Sequence, residues 1–326
     1  ESHETHIISA RGLAGHGALG LINGALSLGV GMFQARRILK DMEPDLVIGF
    51  GGYASAPTIM AATHLGFRSI IHEQNAVIGR ANRLFARRVD RICTTFNKIR
   101  LLPEGVITLR TGLPVRKSFT VLHDTPYMAP KDKGAIRLFV LGGSQGATVF
   151  SLLVPAALKL LPDTLRSRVS VTQQCRSEIM EQTQIAFDDC EVEVTLRPFF
   201  DDVPEQIASA HLVVTRSGAS TVNELAMAGR PAIFVPYPHA ADDHQTDNAK
   251  AIVNAGGGWW EPQDTLTPAH LAERLEILLN NPDTLSLAAA GARAFAVPDA
   301  AERLANEVEK LAMNIKGNNT QTQGVA

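Results

Sequence analysis

A glycine-rich turn at residues 142–147 is the strongest chemical signal in this sequence. Its residues, Gly-Gly-Ser-Gln-Gly-Ala, follow the apolar run Ile136–Leu141 and precede a helix-like segment, Thr148–Leu161. Glycine lets a backbone approach an anion closely, and the unpaired N–H groups of a first helical turn point toward it. Neither the G-x-G-x-x-G spacing of dinucleotide folds nor the Gly-Lys-Ser/Thr of P-loops is present. The turn therefore predicts a bound diphosphate without NAD or ATP chemistry, or else a purely steric use of glycine.

A second strand-to-helix turn lies in the segment Thr215–Glu224. Gly218 permits the turn, and Ser220 and Thr221 are predicted to cap the following helix. The amino end of that helix would offer a second positive dipole end to a diphosphate. Glu224 lies one turn into the helix, where its carboxylate can accept hydrogen bonds from a ribose diol. Ordinary capping with an acidic first turn is the alternative interpretation.

Polar groups also follow the predicted strand ending at Pro236. Gln245 and Asn248 are candidates for contacts with a sugar. Asp242 and Asp243 resemble a metal-binding pair only superficially, because no third ligand has a convincing spacing. We therefore predict neither a metal nor any other cofactor.

Two further strand ends in the first half carry flexible or polar residues. Gly-Phe-Gly-Gly-Tyr at 49–53 ends one predicted strand, and His-Glu-Gln-Asn at 72–75 ends the next. His72 and Glu73 can perform acid/base chemistry, and Asn75 can hydrogen-bond sugar hydroxyls. For His72, a buried structural histidine is the interpretation that chemistry alone favours.

Strand-like and helix-like segments alternate along the chain, which is typical of βαβ units and parallel sheets. The length of 326 residues suggests two domains, and ligands of such sheets bind at the carboxyl ends of the strands. A strand-like segment, Thr5–Ser9, opens the chain. The predicted organisation is a first domain at 1–115, a linker at 116–134, a second domain at 135–297, a C-terminal helix at 298–314 and a disordered tail at 315–326. The predicted strands are 45–50, 68–72, 89–95, 106–110, 136–141, 169–173, 192–196, 212–215 and 232–236.

Charge and hydropathy indicate an anionic partner for the first half, with chance surface composition as the alternative interpretation of the charge. Residues 1–133 hold 17 Lys and Arg against 10 Asp and Glu, a net +7, whereas residues 134–326 carry −9. The uncharged stretch Gly17–Ala35 approaches the length of a membrane span but contains five glycines, and Arg36, Arg37 and Lys40 follow it. A segment lying on an anionic membrane and a helix packed on the sheet are equally compatible with this pattern. The three cysteines lack C-x-x-C spacing, which favours a reducing cytoplasmic compartment.

These motifs occur in the order and spacing of a known family. Gly-Gly-Tyr at 51–53, His-Glu-Gln-Asn at 72–75, the turn at 142–147, Arg-Ser-Gly-Ala at 216–219 and Asp-His-Gln at 243–245 resemble the MurG family of peptidoglycan N-acetylglucosaminyltransferases. The resemblance implies an α/β fold of GT-B architecture, with two Rossmann-like, doubly wound parallel-sheet domains facing a cleft. It also implies inverting transfer of GlcNAc from UDP-GlcNAc to the MurNAc C4 hydroxyl of lipid I, giving lipid II.

The resemblance also implies roles for individual residues. It places the donor diphosphate on Ser144, the diphosphate and ribose on 219–224 with Glu224 on the ribose, and GlcNAc on Gln245. Phe200 would frame the uracil through its backbone. Asn75 and Arg116 fall on binding positions of the family. The implied substrate-binding residues are Asn75, Arg116, Ser144, Phe200, Ala219, Ser220, Thr221, Val222, Asn223, Glu224 and Gln245.

The implied setting is the cytoplasmic face of the bacterial inner membrane. The enzyme would bind there peripherally, with UDP-GlcNAc, lipid I, anionic lipid and other cell-wall synthesis proteins as partners and no nucleic acid. Its product would serve cell-wall growth, and hence cell shape and division.

The sequence departs from the family pattern at three places. Leu113 and Ser151 stand where the family usually has Asn, and the family's first strand and its Gly-Thr-Gly-Gly-His loop are absent. That loop supplies the family's expected base histidine, so the first domain is expected to be incomplete and the catalytic base stays unassigned, with His72 a weak candidate. The alternatives are a UDP-GlcNAc 2-epimerase of the same fold and a non-catalytic protein that binds UDP-sugars.

Overall fold

The computed structural model describes residues 3–10, 17–143 and 148–321. Helices and strands alternate along these ranges, which is the pattern of an α/β protein. The strands are β1 Val47–Gly49, β2 Ser69–Glu73, β3 Arg91–Thr94, β4 Thr108–Arg110, β5 Ile136–Leu141, β6 Val169–Gln174, β7 Glu193–Arg197, β8 Leu212–Thr215, β9 Ala232–Phe234 and β10 Gly258–Trp260. The α-helices are α1 Gly17–Met42, α2 Gly52–Leu65, α3 Arg80–Phe85, α4 Lys117–Thr120, α5 Thr148–Lys159, α6 Asp163–Arg166, α7 Met180–Asp188, α8 Val203–Ser209, α9 Ala219–Ala228, α10 His244–Val253, α11 Pro268–Leu279, α12 Pro282–Phe295 and α13 Ala300–Gln321.

The chain divides into two compact units. Unit 1 comprises Glu1–Pro114 together with Asp299–Ala326, and unit 2 comprises Val115–Pro298. The C-terminal helix, which the sequence analysis set apart, therefore belongs with the first domain. The predicted linker at 116–134 belongs with the second, and α4 lies within it.

Unit 1 contains a parallel sheet with the order β1-β2-β3-β4. Helices α1 and α2 pack together, and their apolar side chains form a core with the sheet that includes Ala35, Leu39 and Ile59. These residues are 6% exposed or less. One face of α1 is therefore committed to packing, as one of the two interpretations of the stretch 17–35 predicted. Within the described residues, no helix is long and apolar enough to cross a bilayer.

Residues 3–10 adopt neither helix nor strand, so the strand predicted at Thr5–Ser9 is wrong. This segment lies on α1 instead of a sheet edge: the Ser9 N–H donates to Gln34 Oε1 at 2.8 Å. Gly31 of α1 permits the approach, since a Cβ there would lie 1.8 Å from the Ser9 carbonyl oxygen. Ile8 packs on the same apolar cluster, so the contact with α1 is made by the end of this segment.

Within unit 1, helix α13 packs against the sheet through a second apolar cluster. Leu304 and Leu311 contact Ile70 and Cys93 of the sheet, all of them buried. Glu307, in the same face of α13, forms an ion pair with Arg91 of β3, with Nε and Oε1 3.1 Å apart. The helix continues to Gln321, past residue 315, where the composition predicted a disordered tail. Residues 322–326 lie outside the described ranges.

Unit 2 contains a parallel sheet with the order β10-β9-β8-β5-β6-β7. From β5 the chain winds outward through β6 and β7, then returns beside β5 as β8 and winds the other way through β9 and β10. This is a doubly wound sheet whose direction reverses between β5 and β8. The predicted strands at 136–141 and 212–215 are confirmed with their bounds, whereas β10 was not predicted.

Helices pack on the sheet of unit 2 and bury a large apolar cluster against it. Apolar residues of β5, β6, β8, α5 and α11 form it, among them Val140, Val154, Val171, Val214 and Leu275, each 2% exposed or less. Burying a branched or aromatic side chain contributes about 1.5–3 kcal/mol. This core fixes the sheet edge at which the strand-end turns of β5 and β8 begin.

Candidate functional site

The two strands that precede the turns singled out in the sequence lie next to each other in unit 2. β5 and β8 are hydrogen-bonded neighbours, with Leu141 opposite Thr215 at their carboxyl ends. The Thr215 hydroxyl donates to the Leu141 carbonyl at 2.9 Å. Ligands of open α/β sheets bind at the strand ends where the winding direction reverses, and this is that place. Ser144 lies outside the described residues.

The amino end of α9 projects from this edge. Its N-cap is Gly218, with no side-chain cap, so Ser220 and Thr221 are in the first turn and do not cap the helix as predicted. A glycine N-cap leaves the first-turn N–H groups without a side-chain acceptor, as a bound anion requires. Val222 is buried in the core, and the Asn223 amide donates to the Ala219 carbonyl at 2.8 Å. The first-turn backbone and the outward side chains are thus the groups that α9 can offer.

Glu224 follows one turn later and forms an ion pair with Arg116. Arg116 Nη2 donates to Glu224 Oε1 at 3.3 Å. The Glu224 side chain is 13% exposed and that of Arg116 62%. Burial raises the pKa of Glu224, and the charge and hydrogen bond of Arg116 oppose that rise. Arg116, the second residue of unit 2, also lies over the Phe119 ring, 5.0 Å from its centroid.

Gln245 joins the turn after β8 to the loop after β9. Its Oε1 accepts the N–H groups of Tyr237 at 2.9 Å and of Ser217 at 3.3 Å, and its carbonyl accepts the Ser217 hydroxyl at 2.8 Å. Because Oε1 is occupied, the group that Gln245 can offer a ligand is its Nε2 amide. Asn248 is fully buried and donates to the Ser217 carbonyl at 3.1 Å, so it is structural and does not reach a sugar as predicted.

Arg216 is a site residue that the sequence analysis did not interpret. Its guanidinium donates to the carbonyls of Val235 and Pro236, each at 3.0 Å, and to Gln263 Oε1 at 2.6 Å. It is 8% exposed and lies within 5.5 Å of the ring centroids of Phe150 and Tyr237. The arginine of the Arg-Ser-Gly-Ala motif therefore ties three strand-end loops together and is not directed at a phosphate. The sequence does not reveal this role, because the rings of Phe150 and Tyr237 lie beside Arg216 only in the folded chain.

Phe200 follows β7 at the same end of the sheet. Its side chain is 4% exposed, packs edge-on against Phe139 at 5.6 Å and lies beneath Arg197. The ring is thus part of the core, which leaves the backbone of this segment as the part that can contact a ligand, as the resemblance implies. The adjacent Phe199 is 68% exposed.

In unit 1, His72 is fully buried at the end of β2. Its Nε2 donates to the Gly112 carbonyl at 2.8 Å, and Nδ1 is buried without a hydrogen-bond partner. Burial lowers the pKa of His72, so the ring is neutral at pH 7. This geometry favours the structural interpretation of His72. Asn75 lies in the following turn, where its N–H donates to Glu73 Oε1 at 2.9 Å.

Among the described residues, no group of three or more His, Cys, Asp or Glu could hold a metal ion. Asp242 and Asp243 both adopt left-handed backbone conformations, with φ of 52° and 54°. They form the turn that leads into α10, which begins at His244, the residue before Gln245. Non-glycine residues rarely adopt this conformation, so the turn stores strain beside the candidate site.

Family models match both units of the chain. The C-terminal domain of glycosyltransferase family 28 matches residues 137–304, and the N-terminal domain of the same family matches residues 1–94. The chain belongs to glycosyltransferase family 28. The resemblance stated from the motifs is confirmed, and with it the assignment to glycosyltransferases.

Two similar bacterial proteins have the same enzyme name. Those of Rhodospirillum rubrum and Paramagnetospirillum magneticum are named UDP-N-acetylglucosamine–N-acetylmuramyl-(pentapeptide) pyrophosphoryl-undecaprenol N-acetylglucosamine transferases. Each is 50% identical to this chain, over 95% of it in the first case and 96% in the second. The matches cover 80% and 85% of the two relatives.

Solved structures support the predicted GT-B fold. The MurG of Acinetobacter baumannii matches with a TM-score of 0.72 and 31% identity, covering 88% of this chain and 79% of that one. A UDP-GlcNAc 2-epimerase of Neisseria meningitidis matches with a TM-score of 0.63 and 14% identity, over 90% and 82% of the two chains. The second likeness is one of fold alone.

Proposed function

We propose that this glycosyltransferase moves GlcNAc from UDP-GlcNAc to the MurNAc C4 hydroxyl of undecaprenyl-pyrophosphoryl-MurNAc-pentapeptide, lipid I, with inversion at the anomeric carbon. The product is lipid II. The names of relatives at 50% identity support this substrate pair. The observation that carries the proposal is the placement of the α9 amino end and Glu224 where the sheet of unit 2 reverses direction.

The donor fits this end of unit 2 as follows. The diphosphate lies at the amino end of α9 with Ser144 as a further contact, and the ribose hydroxyls donate to Glu224. Gln245 Nε2 donates to a GlcNAc hydroxyl, and the backbone at Phe200 borders the uracil. As the anomeric bond breaks, negative charge grows on the departing UDP, and the positive ends of helix dipoles stabilise that charge where it develops.

Product analysis tests this proposal. The purified chain is incubated with UDP-GlcNAc labelled in the sugar, with and without lipid I, and both the lipid and nucleotide-sugar fractions are analysed. We expect label in a lipid-linked disaccharide and release of an equal amount of UDP only when lipid I is present. UDP-ManNAc formed without acceptor would show the epimerase alternative. Donor binding without any product would show a non-catalytic UDP-sugar-binding protein.

We also propose that unit 1 binds peripherally to the cytoplasmic face of the inner membrane, where the lipid acceptor is exposed. Support comes from α1, whose outward residues Leu26, Val30 and Phe33 are 52–72% exposed and recur at helical spacing. Arg37 and Lys40 continue the same face and are exposed. An apolar stripe that ends in basic residues is typical of helices lying on anionic lipid.

Vesicle sedimentation tests the membrane proposal. We expect the chain to bind vesicles containing anionic lipid and to dissociate at high salt, because salt screens headgroup attraction. Replacing Leu26, Val30 and Phe33 together with Ser should abolish binding. The matched control replaces three comparably exposed apolar residues of unit 2 with Ser, namely Ile185, Ile277 and Leu287. Equal loss in both variants, or equal binding to neutral and anionic vesicles, would contradict the proposal.

A further inference from the structure

Glu73 is a buried carboxylate at the carboxyl end of β2, and the site described above does not explain it. It is 2% exposed. Its Oε1 accepts the Asn75 N–H at 2.9 Å, and its Oε2 accepts the Gly79 N–H at 2.9 Å and Asn82 Nδ2 at 2.7 Å. Hydrogen bonds to an ionised group are stronger than those between neutral groups. Three of them converge on this side chain from the loop and helix that follow it.

These contacts hold the loop 74–79 against Glu73, and main-chain hydrogen bonds hold the same loop to Arg100. The Arg100 N–H donates to the Ala76 carbonyl at 2.8 Å, and the Ile78 N–H donates to the Arg100 carbonyl at 3.1 Å. Ala76, Val77 and Ile78 are buried. Asn75 is the second residue of this loop, and the direct hydrogen bond from its N–H to Glu73 Oε1 holds its backbone.

The same carboxylate connects two strand-end loops of unit 1. Asn82 lies against Gly51, where a Cβ would be 3.2 Å from Asn82 Nδ2, and Gly51 has a φ of +80°. Gln74 Nε2 donates to the Phe50 carbonyl at 3.3 Å. The loop after β1 and the loop after β2 are therefore held together through Glu73, Asn82 and Gln74.

We propose that Glu73 is a positioning residue that fixes Asn75 for substrate binding, and that it is not the catalytic base. Both of its oxygens are occupied by N–H donors and its side chain is withdrawn from solvent, so it is not placed to take a proton from an acceptor hydroxyl. The proposal rests on the assignment of Asn75 as a substrate-binding residue in the proposed function.

A double-mutant cycle tests this role. Initial rates of lipid II formation are measured for the unmodified chain, Glu73→Gln, Asn75→Ala and the double variant, with kcat and KM determined for both substrates. Gln keeps the size of Glu73 but presents an NH₂ group, so at least one of the three N–H donors loses its acceptor. We expect each single variant to lower kcat/KM about tenfold or more, the range for losing a hydrogen bond to a charged group. The kcat/KM of the double variant should lie within about twofold of that of the less active single variant. Both substitutions remove the same function, the substrate contact of Asn75, so their effects should not multiply.

Glu307→Gln is the matched control. Glu307 is another buried carboxylate of unit 1, 5% exposed, and its partner is Arg91. Its effect on kcat/KM should multiply with that of Asn75→Ala, since the two sites share no partner. If Glu73→Gln does not fold, Asn82→Ala removes one donor and leaves the charge. It should show a smaller loss with the same coupling to Asn75.

The outcomes separate the proposals. Full multiplication of the Glu73 and Asn75 effects, or an unchanged rate in Glu73→Gln with a tenfold loss in Asn75→Ala, would overturn the positioning role. An unchanged rate in Asn75→Ala would instead overturn the substrate role of Asn75 within the proposed function.

Discussion

Replacing Glu224 with Gln perturbs the donor site at one atom. Its carboxylate is 13% exposed and held by Arg116 at 3.3 Å, so Gln fits the same volume while the charge is lost. If the ribose diol donates to Glu224, the substitution weakens hydrogen bonds to a buried charged acceptor. Such bonds contribute about 1–3 kcal/mol, which corresponds to a Kd about 5- to 150-fold higher for UDP.

Calorimetry with UDP and 2′-deoxy-UDP measures this effect and locates it. The unmodified chain should prefer UDP, and Glu224→Gln should lose most of that preference, because the missing hydroxyl no longer has a charged acceptor. Glu273→Gln, on the exposed side of α11, is the matched control and should leave both affinities unchanged. Unchanged UDP affinity in Glu224→Gln, or an undiminished preference for UDP, would refute the assignment of Glu224 to the ribose.

Three further expectations follow from charges in unit 2. Because burial raises the pKa of Glu224, UDP affinity should fall as pH decreases from 8 through that raised pKa, and Glu224→Gln should flatten the profile. Arg230 donates to the carbonyls of Ala208, Ala228 and Gly229 at the ends of α8 and α9, so Arg230→Lys should lower the free energy of unfolding by about 2–4 kcal/mol in denaturant titrations; an unchanged midpoint would contradict this. Burial lowers the pKa of His211 to about 4, and an unfolded histidine titrates near 6.5, so His211 contributes stability above pH 6.5 that is lost toward pH 4, at about 1.4 kcal/mol per pH unit at most. His211→Asn should make this loss shallower, with the part due to His72 remaining, and an identical acid profile in the variant would contradict the reasoning.

The sequence was informative where local pattern and tertiary structure agree. Mostly apolar runs identified β5 and β8 with their bounds, because these central strands are buried along nearly their whole length and need hydrophobic residues there. β10 escaped prediction because Gly-Trp-Trp is short and begins with a glycine, and its pairing with β9 decides its conformation. At Thr5–Ser9 the local strand propensity did not decide the conformation, and this segment contacts α1 through Ser9.

The candidate site shows the same limit. The motifs predicted a strand followed by a helix at both places, and β5 with α5 and β8 with α9 occur there; that these strand ends and Glu224 bind the donor stays a prediction. The roles of Arg216 and Asn248 depend on carbonyls and side chains that are distant in sequence, so a motif alone cannot tell a ligand-binding residue from a structural one. Ser220 and Thr221 were placed at the cap because Ser and Thr favour it, but Gly218 occupies that position.

A crystal structure of this chain with UDP-GlcNAc tests the central claim most directly. We expect the diphosphate at the amino end of α9, the ribose hydroxyls within hydrogen-bond distance of the Glu224 carboxylate, and Gln245 Nε2 on a GlcNAc hydroxyl. A nucleotide bound away from the β5–β8 edge, or a Glu224 carboxylate that contacts Arg116 but not the ribose, would contradict it.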